Sequence, residues 1–224
     1  MSELMGQEAV IEGLDGTGKS LQVKLFREKL WTRKGIESIE YAEPAMDPKD
    51  GIEDVLIADA LRAVIKNGNL KRDPITNLFM FSGARHEVRE QKVKPALKLG
   101  KTAVSARNYW STEAYQGYGE GLPLDLIYDV TLKATDEKYM KPDIAVILNL
   151  EDELERQRRI DNRGELENPD TFESRGQDFQ MRVNAAYLDI ARRYNIPVVS
   201  AAGTPEEVSE RIWEVVEPHT RFTF

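Results

Sequence analysis

The chain contains no cysteine. That removes disulfides, thiolate metal sites and thiol nucleophiles together. Histidine is nearly as scarce, with His86 and His219 the only two, so a histidine-built zinc centre is not expected. Long apolar runs are missing as well: Ile144-Ala-Val-Ile-Leu148 is far shorter than the roughly 20 residues a membrane-spanning helix needs. The first residues, Met1-Ser-Glu-Leu-Met-Gly-Gln-Glu8, lack the basic patch and apolar core of a signal peptide. A soluble, cytoplasmic protein without membrane contact is the expectation. Basic residues are not in excess either, since 31 Lys and Arg against 39 Asp and Glu leave a formal charge of −8. A nucleic-acid binder needs a basic face to displace counterions, so no nucleic-acid partner is expected. A small basic pocket for phosphates remains compatible with that balance.

The chain has 224 residues, 41% of them hydrophobic, which suits one α/β domain spanning residues 1–224. Short apolar runs alternate with amphipathic stretches. Strands are predicted at Ala9–Glu12, Ser38–Ala42, Lys101–Ser105, Asp143–Leu150 and Ile196–Ser200. Helices are predicted at Ser20–Trp31, with Leu21, Leu25 and Leu30 near one face, and at Ile52–Ile65, Thr76–Leu97, Pro123–Ala134, Glu151–Ile160, Glu173–Tyr194 and Pro205–Val216. The last has a clear start: Thr204 can cap it, Pro205 fits its first turn and Glu207 completes a capping box. Strands separated by helices imply a parallel five-stranded sheet covered by helices on both faces. The one irregular stretch, Asp161 to Ser174, is too polar for a core and reads as part of a lid over about residues 158–174.

Gly13-Leu-Asp-Gly-Thr-Gly-Lys-Ser20 fits the phosphate-binding pattern G-x-x-x-x-G-K-[ST] of P-loop NTPases, with an apolar strand before it and an amphipathic helix after. A polyphosphate needs several backbone N–H groups pointing inward, so the chain must curl tightly. Gly13, Gly16 and Gly18 permit the curl, and Asp15 and Thr17 share its backbone. The helix that follows presents its positive end to the anion. Lys19 adds a charge, and the Ser20 hydroxyl can hold Mg2+. The pattern names the ligand class, ATP or a relative, more firmly than the reaction. A GTP-driven switch is not expected, because no Asn-Lys-x-Asp run is present.

Further elements follow in a fixed order: Glu43-Pro44, Leu78-Phe-Met-Phe-Ser-Gly-Ala-Arg85, Arg107, Ser111-Thr-Glu-Ala-Tyr-Gln-Gly117, Pro142-Asp143 and Arg163-Gly-Glu-Leu166. With the glycine-rich turn they make the chain resemble the thymidylate kinase family over nearly its whole length. The resemblance implies transfer of phosphate from ATP to dTMP with Mg2+, a step towards dTTP, carried out by a homodimer. It implies that Asp15 meets the sugar 3′-hydroxyl of the acceptor. Phe81 would stack on thymine, while Arg85 hydrogen-bonds the base from one helical turn later. Arg107 would grip the acceptor phosphate, with Glu43, Thr112 and Gln116 beside the acceptor. Tyr115 would crowd the sugar 2′ position and favour deoxyribose. Taken singly, Phe81 reads as core and Arg85 as a solvated helix residue; their order and spacing give them function.

Arg156, Arg158, Arg159 and Arg163 cluster ahead of the lid. Some family members carry an arginine in the P-loop, whereas this chain has Gly16 there. It therefore resembles the type whose lid supplies the cations, with Arg159 and Arg163 the expected pair and Arg158 in reserve. Two positions depart from the family pattern. Ala106 precedes Arg107 where an aspartate is usual, with Glu12, Asp15 and Glu43 as candidate stand-ins at strand ends. Ala42 precedes Glu43 where an arginine is usual. The alternatives are a kinase of another pyrimidine monophosphate or of a deoxynucleoside, or a nucleotide-binding regulatory protein with weakened catalysis.

Overall fold

The computed structural model describes residues 6–45, 55–162 and 175–220. Strands β1 (Glu8–Gly13), β2 (Ser38–Tyr41), β3 (Thr102–Ser105), β4 (Ile144–Asn149) and β5 (Val198–Ser200) form one sheet in the order β2-β3-β1-β4-β5. Every pairing is parallel, as the alternation of strands and helices predicts. From β1 the chain crosses to the edge strand β2, returns inward to β3 between the two, and then places β4 and β5 on the other side of β1. That reversal opens a crevice at the carboxyl ends of β1 and β3, the usual ligand position in such sheets.

Alternate residues of β1 feed opposite layers. Ala9 and Ile11 join Val23, Phe26 and Leu30 of helix α1 (Lys19–Lys34). Val10 instead joins a second core that is rich in aromatic residues. In α1 the buried stripe is Gln22, Val23, Phe26 and Leu30, while Leu21 is exposed and borders the crevice. The expected Leu21–Leu25–Leu30 face is thus rotated, because a 3.6-residue repeat through Val23, Phe26 and Leu30 turns Leu21 outward.

Helix α2 (Leu56–Lys66) packs on α3 (Pro74–Val88). Its expected first residues, 52–54, lie outside the described residues. The single helix predicted over Thr76–Leu97 is present but interrupted: α3 passes through a π-helical segment, Arg89–Val93, into α4 (Lys94–Lys98). Pro95 cannot donate to the carbonyl four residues back, and it stands two residues after the widened turn.

Past β3, a short α5 (Tyr109–Thr112) continues into a second π-helical segment, Glu113–Gly119. Next come α6 (Leu124–Ala134) and the single turn α7 (Glu137–Met140). The sequence reading assigned no element to α5, its π segment or α7, since pieces this short carry little periodicity. Their caps are nonetheless orthodox: Asn108 accepts from the Trp110 N–H and Asp136 from the Tyr139 N–H. Helix α8 (Glu153–Asp161) is capped by Asp152. Most of the expected lid, from residue 163 to 174, lies outside the described residues.

The chain ends with α9 (Gln177–Tyr194) and α10 (Pro205–Val216), which flank β5. Among the described residues no helix is long and apolar enough to cross a membrane. The capping box of α10 forms as the sequence indicates, with Glu207 N–H donating to Thr204 Oγ1 at 3.2 Å and Thr204 N–H to Glu207 Oε2 at 2.8 Å. Thr204→Ala is expected to cost about 1 kcal/mol of stability with turnover unchanged, as read by urea unfolding beside a steady-state assay.

Candidate active site

At the end of β1 the backbone turns sharply at Gly13. A Cβ there would lie 2.4 Å from the Leu148 carbonyl oxygen, so only glycine lets β1 and β4 stay this close. Gly16 has φ 89°, and a Cβ on it would lie 2.7 Å from Arg156 Cγ, so the turn is moulded against α8. Gly18 is the N-cap of α1 and contributes no capping side chain. The Leu14 carbonyl gathers the turn from inside, accepting from Lys19 Nζ at 3.0 Å and from the Thr17 hydroxyl at 2.8 Å. Ser20 is exposed at the rim of the crevice.

The crevice has a volume of about 580 Å3, the size of a small-molecule site. Asp15 stands where the turn meets it. Its Oδ1 lies 3.4 Å from Lys19 Nζ and is paired with Arg107, and its Oδ2 accepts from the Tyr115 hydroxyl at 2.7 Å. The Arg107 guanidinium also donates to Ser111 Oγ at 3.0 Å and lies over the Tyr115 ring. Burial pushes the Tyr115 phenol well above its ordinary range, and the Asp15 charge pushes it further, so Tyr115 keeps its proton and donates it. Burial opposes the Arg107 charge, but Asp15, Tyr115, Tyr187 and Glu12 together more than restore it.

At the far end Arg85 is almost wholly buried. Its Nε donates to Glu43 Oε2 at 2.7 Å and its Nη2 to Thr112 Oγ1 at 3.1 Å. Its third nitrogen, Nη1, is buried with no hydrogen-bond partner among the described residues. Arg85, Phe81, Thr112, Tyr115 and Gln116 all line the crevice, so the residues singled out for the acceptor do converge. Thr112, Tyr115 and Gln116 come from α5 and the π segment after it. The wider π turn sets their spacing.

Two further residues escaped sequence reasoning. Tyr139 of α7 donates its hydroxyl to Glu43 Oε1, and its ring lies under both Arg85 and Arg89. It sits in a one-turn helix without a motif, and no sequence signal marks it. Arg156 of α8 is buried, with Nη1 donating to the Asp15 carbonyl oxygen at 3.0 Å. Its cluster was visible in the sequence, but nearness to the lid favoured Arg159 and Arg163. Here Arg159 donates to the carbonyl oxygens of Ala201 at 3.1 Å and Gly203 at 3.4 Å. Arg158 is exposed, and Arg163 lies outside the described residues.

Of the candidate stand-ins for the missing aspartate, Asp15 and Glu43 line the crevice, while Glu12 does not. Glu12 is turned inward and fully buried. Its Oε1 accepts from the N–H groups of Asn108 at 2.8 Å and Ser111 at 3.2 Å and from Ser111 Oγ at 2.9 Å. It therefore anchors the start of α5. Ala42 and Ala106 sit side by side on the crevice floor, just beyond the paired residues Tyr41 and Ser105. Lys24, Arg62 and Lys66 border the same space. Among the described residues, no three His, Cys, Asp or Glu side chains converge to hold a metal ion.

A family model described as Thymidylate kinase matches residues 11–212. The chain is 35% identical over 213 residues to a thymidylate kinase of Prosthecochloris aestuarii, covering 92% of this chain and 90% of that protein. It is 34% identical over 215 residues to one from Rhodopseudomonas palustris, covering 95% and 89%. The crystal structure of a thymidylate kinase from Ehrlichia chaffeensis superposes with a TM-score of 0.72 at 24% identity, covering 94% of this chain and 98% of that one. That last likeness is one of fold.

Burial raises the Glu12 pKa above its ordinary 4.5, outweighing Arg107 and the Asn108 N–H, which lower it. A carboxyl with a raised pKa holds its proton more tightly in the fold than in the unfolded chain, so its contribution to stability falls as pH rises from the unfolded value through the folded one. The stability of wild type relative to Glu12→Gln is thus expected to decline as pH climbs from about 4.5. Urea unfolding at a series of pH values checks this. A difference that grows with pH would mean the ionised form is the one favoured.

Proposed function

The chain belongs to the thymidylate kinase family, and on that premise we propose how its crevice works. It phosphorylates dTMP to dTDP. ATP is the donor, and its phosphates lie along the Gly13–Ser20 turn, where backbone N–H groups and the start of α1 face the anion. Lys19 exchanges the Leu14 carbonyl for a phosphate oxygen. Mg2+ would be held by the Ser20 hydroxyl together with phosphate oxygens. It would supply positive charge against that of the polyphosphate.

The thymine ring enters beside Phe81, and Arg85 Nη1 donates to it. Glu43 and Tyr139 hold the Arg85 fork in place. Asp15 accepts from the sugar 3′-hydroxyl, Tyr115 closes the 2′ side, and Thr112 and Gln116 complete the wall. Arg107 brings the acceptor phosphate towards the donor. An acceptor phosphate oxygen attacks the γ-phosphorus, and the bond to the β–γ bridging oxygen breaks, leaving ADP and dTDP without a covalent enzyme intermediate. The work of the protein is alignment and charge neutralisation. Arg159 and Arg163 contribute to the latter from the lid side.

The observation that carries this reading is Arg85 Nη1, a charged donor buried at the wall of the crevice without a partner among the described residues. Leaving such a group unpaired costs about 1–3 kcal/mol, a cost that a pyrimidine carbonyl removes. The active unit is a homodimer. Supporting that, Leu56, Ile57 and Val64 of α2 and Ile75 and Phe79 of α3 are exposed on two helices that pack together, and such apolar surface favours association.

Lys19→Ala is expected to lower kcat at least ~100-fold while the melting temperature holds. Near-normal turnover would contradict the phosphate role. A coupled assay with dTMP, dUMP and dCMP is expected to rank dTMP first. In that assay Arg85→Lys, which keeps a cation for Glu43 but loses the fork, is expected to cut kcat/KM for dTMP by about 10–100-fold and leave the KM for ATP within about twofold. Equal losses for both substrates would refute base reading by Arg85.

A further inference from the structure

The P-loop touches the rest of the protein on two sides. On the crevice side, Arg107, Lys19 and Tyr115 hold the Asp15 carboxylate. On the opposite side stands α8. There Arg156 lays its stem against Gly16, so closely that a Cβ on Gly16 would lie 2.7 Å from Arg156 Cγ and 2.9 Å from its carbonyl oxygen. Its guanidinium reaches past Gly16 and donates to the Asp15 carbonyl oxygen at 3.0 Å. Glu153, one turn earlier on α8, receives the other face of the fork, with Arg156 Nε donating to Glu153 Oε2 at 2.9 Å. The Arg156 side chain is only 4% exposed, so it has almost no contact with solvent.

The geometry points to Arg156 as a positioning residue for the phosphate donor: by pinning the Asp15 carbonyl towards α8, it directs the Gly16 N–H the other way, into the concave side of the P-loop. The reason lies in the peptide unit. The Asp15–Gly16 bond is trans, since the only cis bond among the described residues is Glu43–Pro44. In a trans peptide the C=O and the following N–H are antiparallel. Fixing one fixes the other. Gly16 at φ 89° sits in a region where glycine has several accessible conformations, so this peptide is able to flip. A flip would aim a carbonyl oxygen, rather than an N–H, at a phosphate. A charged hydrogen bond from a side chain clamped by Glu153 opposes it.

This inference rests on the donor reading of the P-loop, and the test separates the two. Arg156→Met keeps a stem to cover Gly16 and removes every donor. Binding of AMP-PNP with Mg2+, and separately of dTMP, is measured by calorimetry on the full chain alongside Lys19→Ala. Arg156→Met is expected to weaken AMP-PNP about tenfold and to leave dTMP within about twofold, with Arg156→Lys recovering part of the loss. Glu153→Gln, which loosens the clamp but keeps the guanidinium, is expected to shift AMP-PNP in the same direction by less, and it decides the matter should Arg156→Met not fold. Unchanged AMP-PNP binding, or equal losses for both ligands, would overturn the proposal. If Lys19→Ala still weakens AMP-PNP in that case, the donor reading survives while the role of Arg156 falls.

Discussion

Asp15 is held from both ends, and the site is built around that fact. Its carboxylate is shared by Arg107, Lys19 and Tyr115, and its carbonyl is taken by Arg156. One residue therefore joins β1, the segment after β3, the π segment and α8. A carboxylate in so enclosed a place costs several kcal/mol in lost hydration, and it persists only because cations and a phenol surround it. In the function proposed above both substrates meet at this residue, so the alignment that phosphoryl transfer requires would be set before either arrives.

The same logic extends through the interior. Glu8 pairs with Arg89, which also engages Asp136 and lies over the Tyr139 ring. Tyr139 then links to Glu43 and so to Arg85. A chain of charged and phenolic groups thus runs from the start of β1 to the Arg85 end of the crevice. Each member fixes its neighbour, and Arg85 is left with one nitrogen that has no hydrogen-bond partner among the described residues. Rigid donors discriminate between ring systems better than mobile ones, because a poorly matching base must leave them unpaired.

Much of this was legible in the sequence, and the limits have physical causes. The strands and long helices announced themselves by apolar periodicity, and the Gly13–Ser20 turn by the glycines its curl demands. The Thr204 cap was readable because its partners are three residues apart. Glu12 was misjudged because a strand-end carboxylate can face the crevice or the interior, and only the fold around Asn108 and Ser111 decides. Tyr139 and Arg156 were missed because their partners, Glu43 and the Asp15 carbonyl, lie far away in sequence, where spacing is silent. The π segments were invisible for another reason: one extra residue per turn changes a repeat too little to be seen over so few residues.

Ala42 and Ala106 lie side by side beyond Tyr41 and Ser105, where the resemblance to the family implies a cation and an anion. Opposite charges that touch behave at a distance as a dipole, whose field fades faster than that of a lone ion. Deleting both at once therefore removes a short-range feature and leaves the long-range attraction for anionic nucleotides nearly as it was. Losing either alone would have tilted that attraction by a full charge. Lys24, Arg62 and Lys66 border the same crevice, and their charge supplies that long-range attraction without a contribution from either alanine.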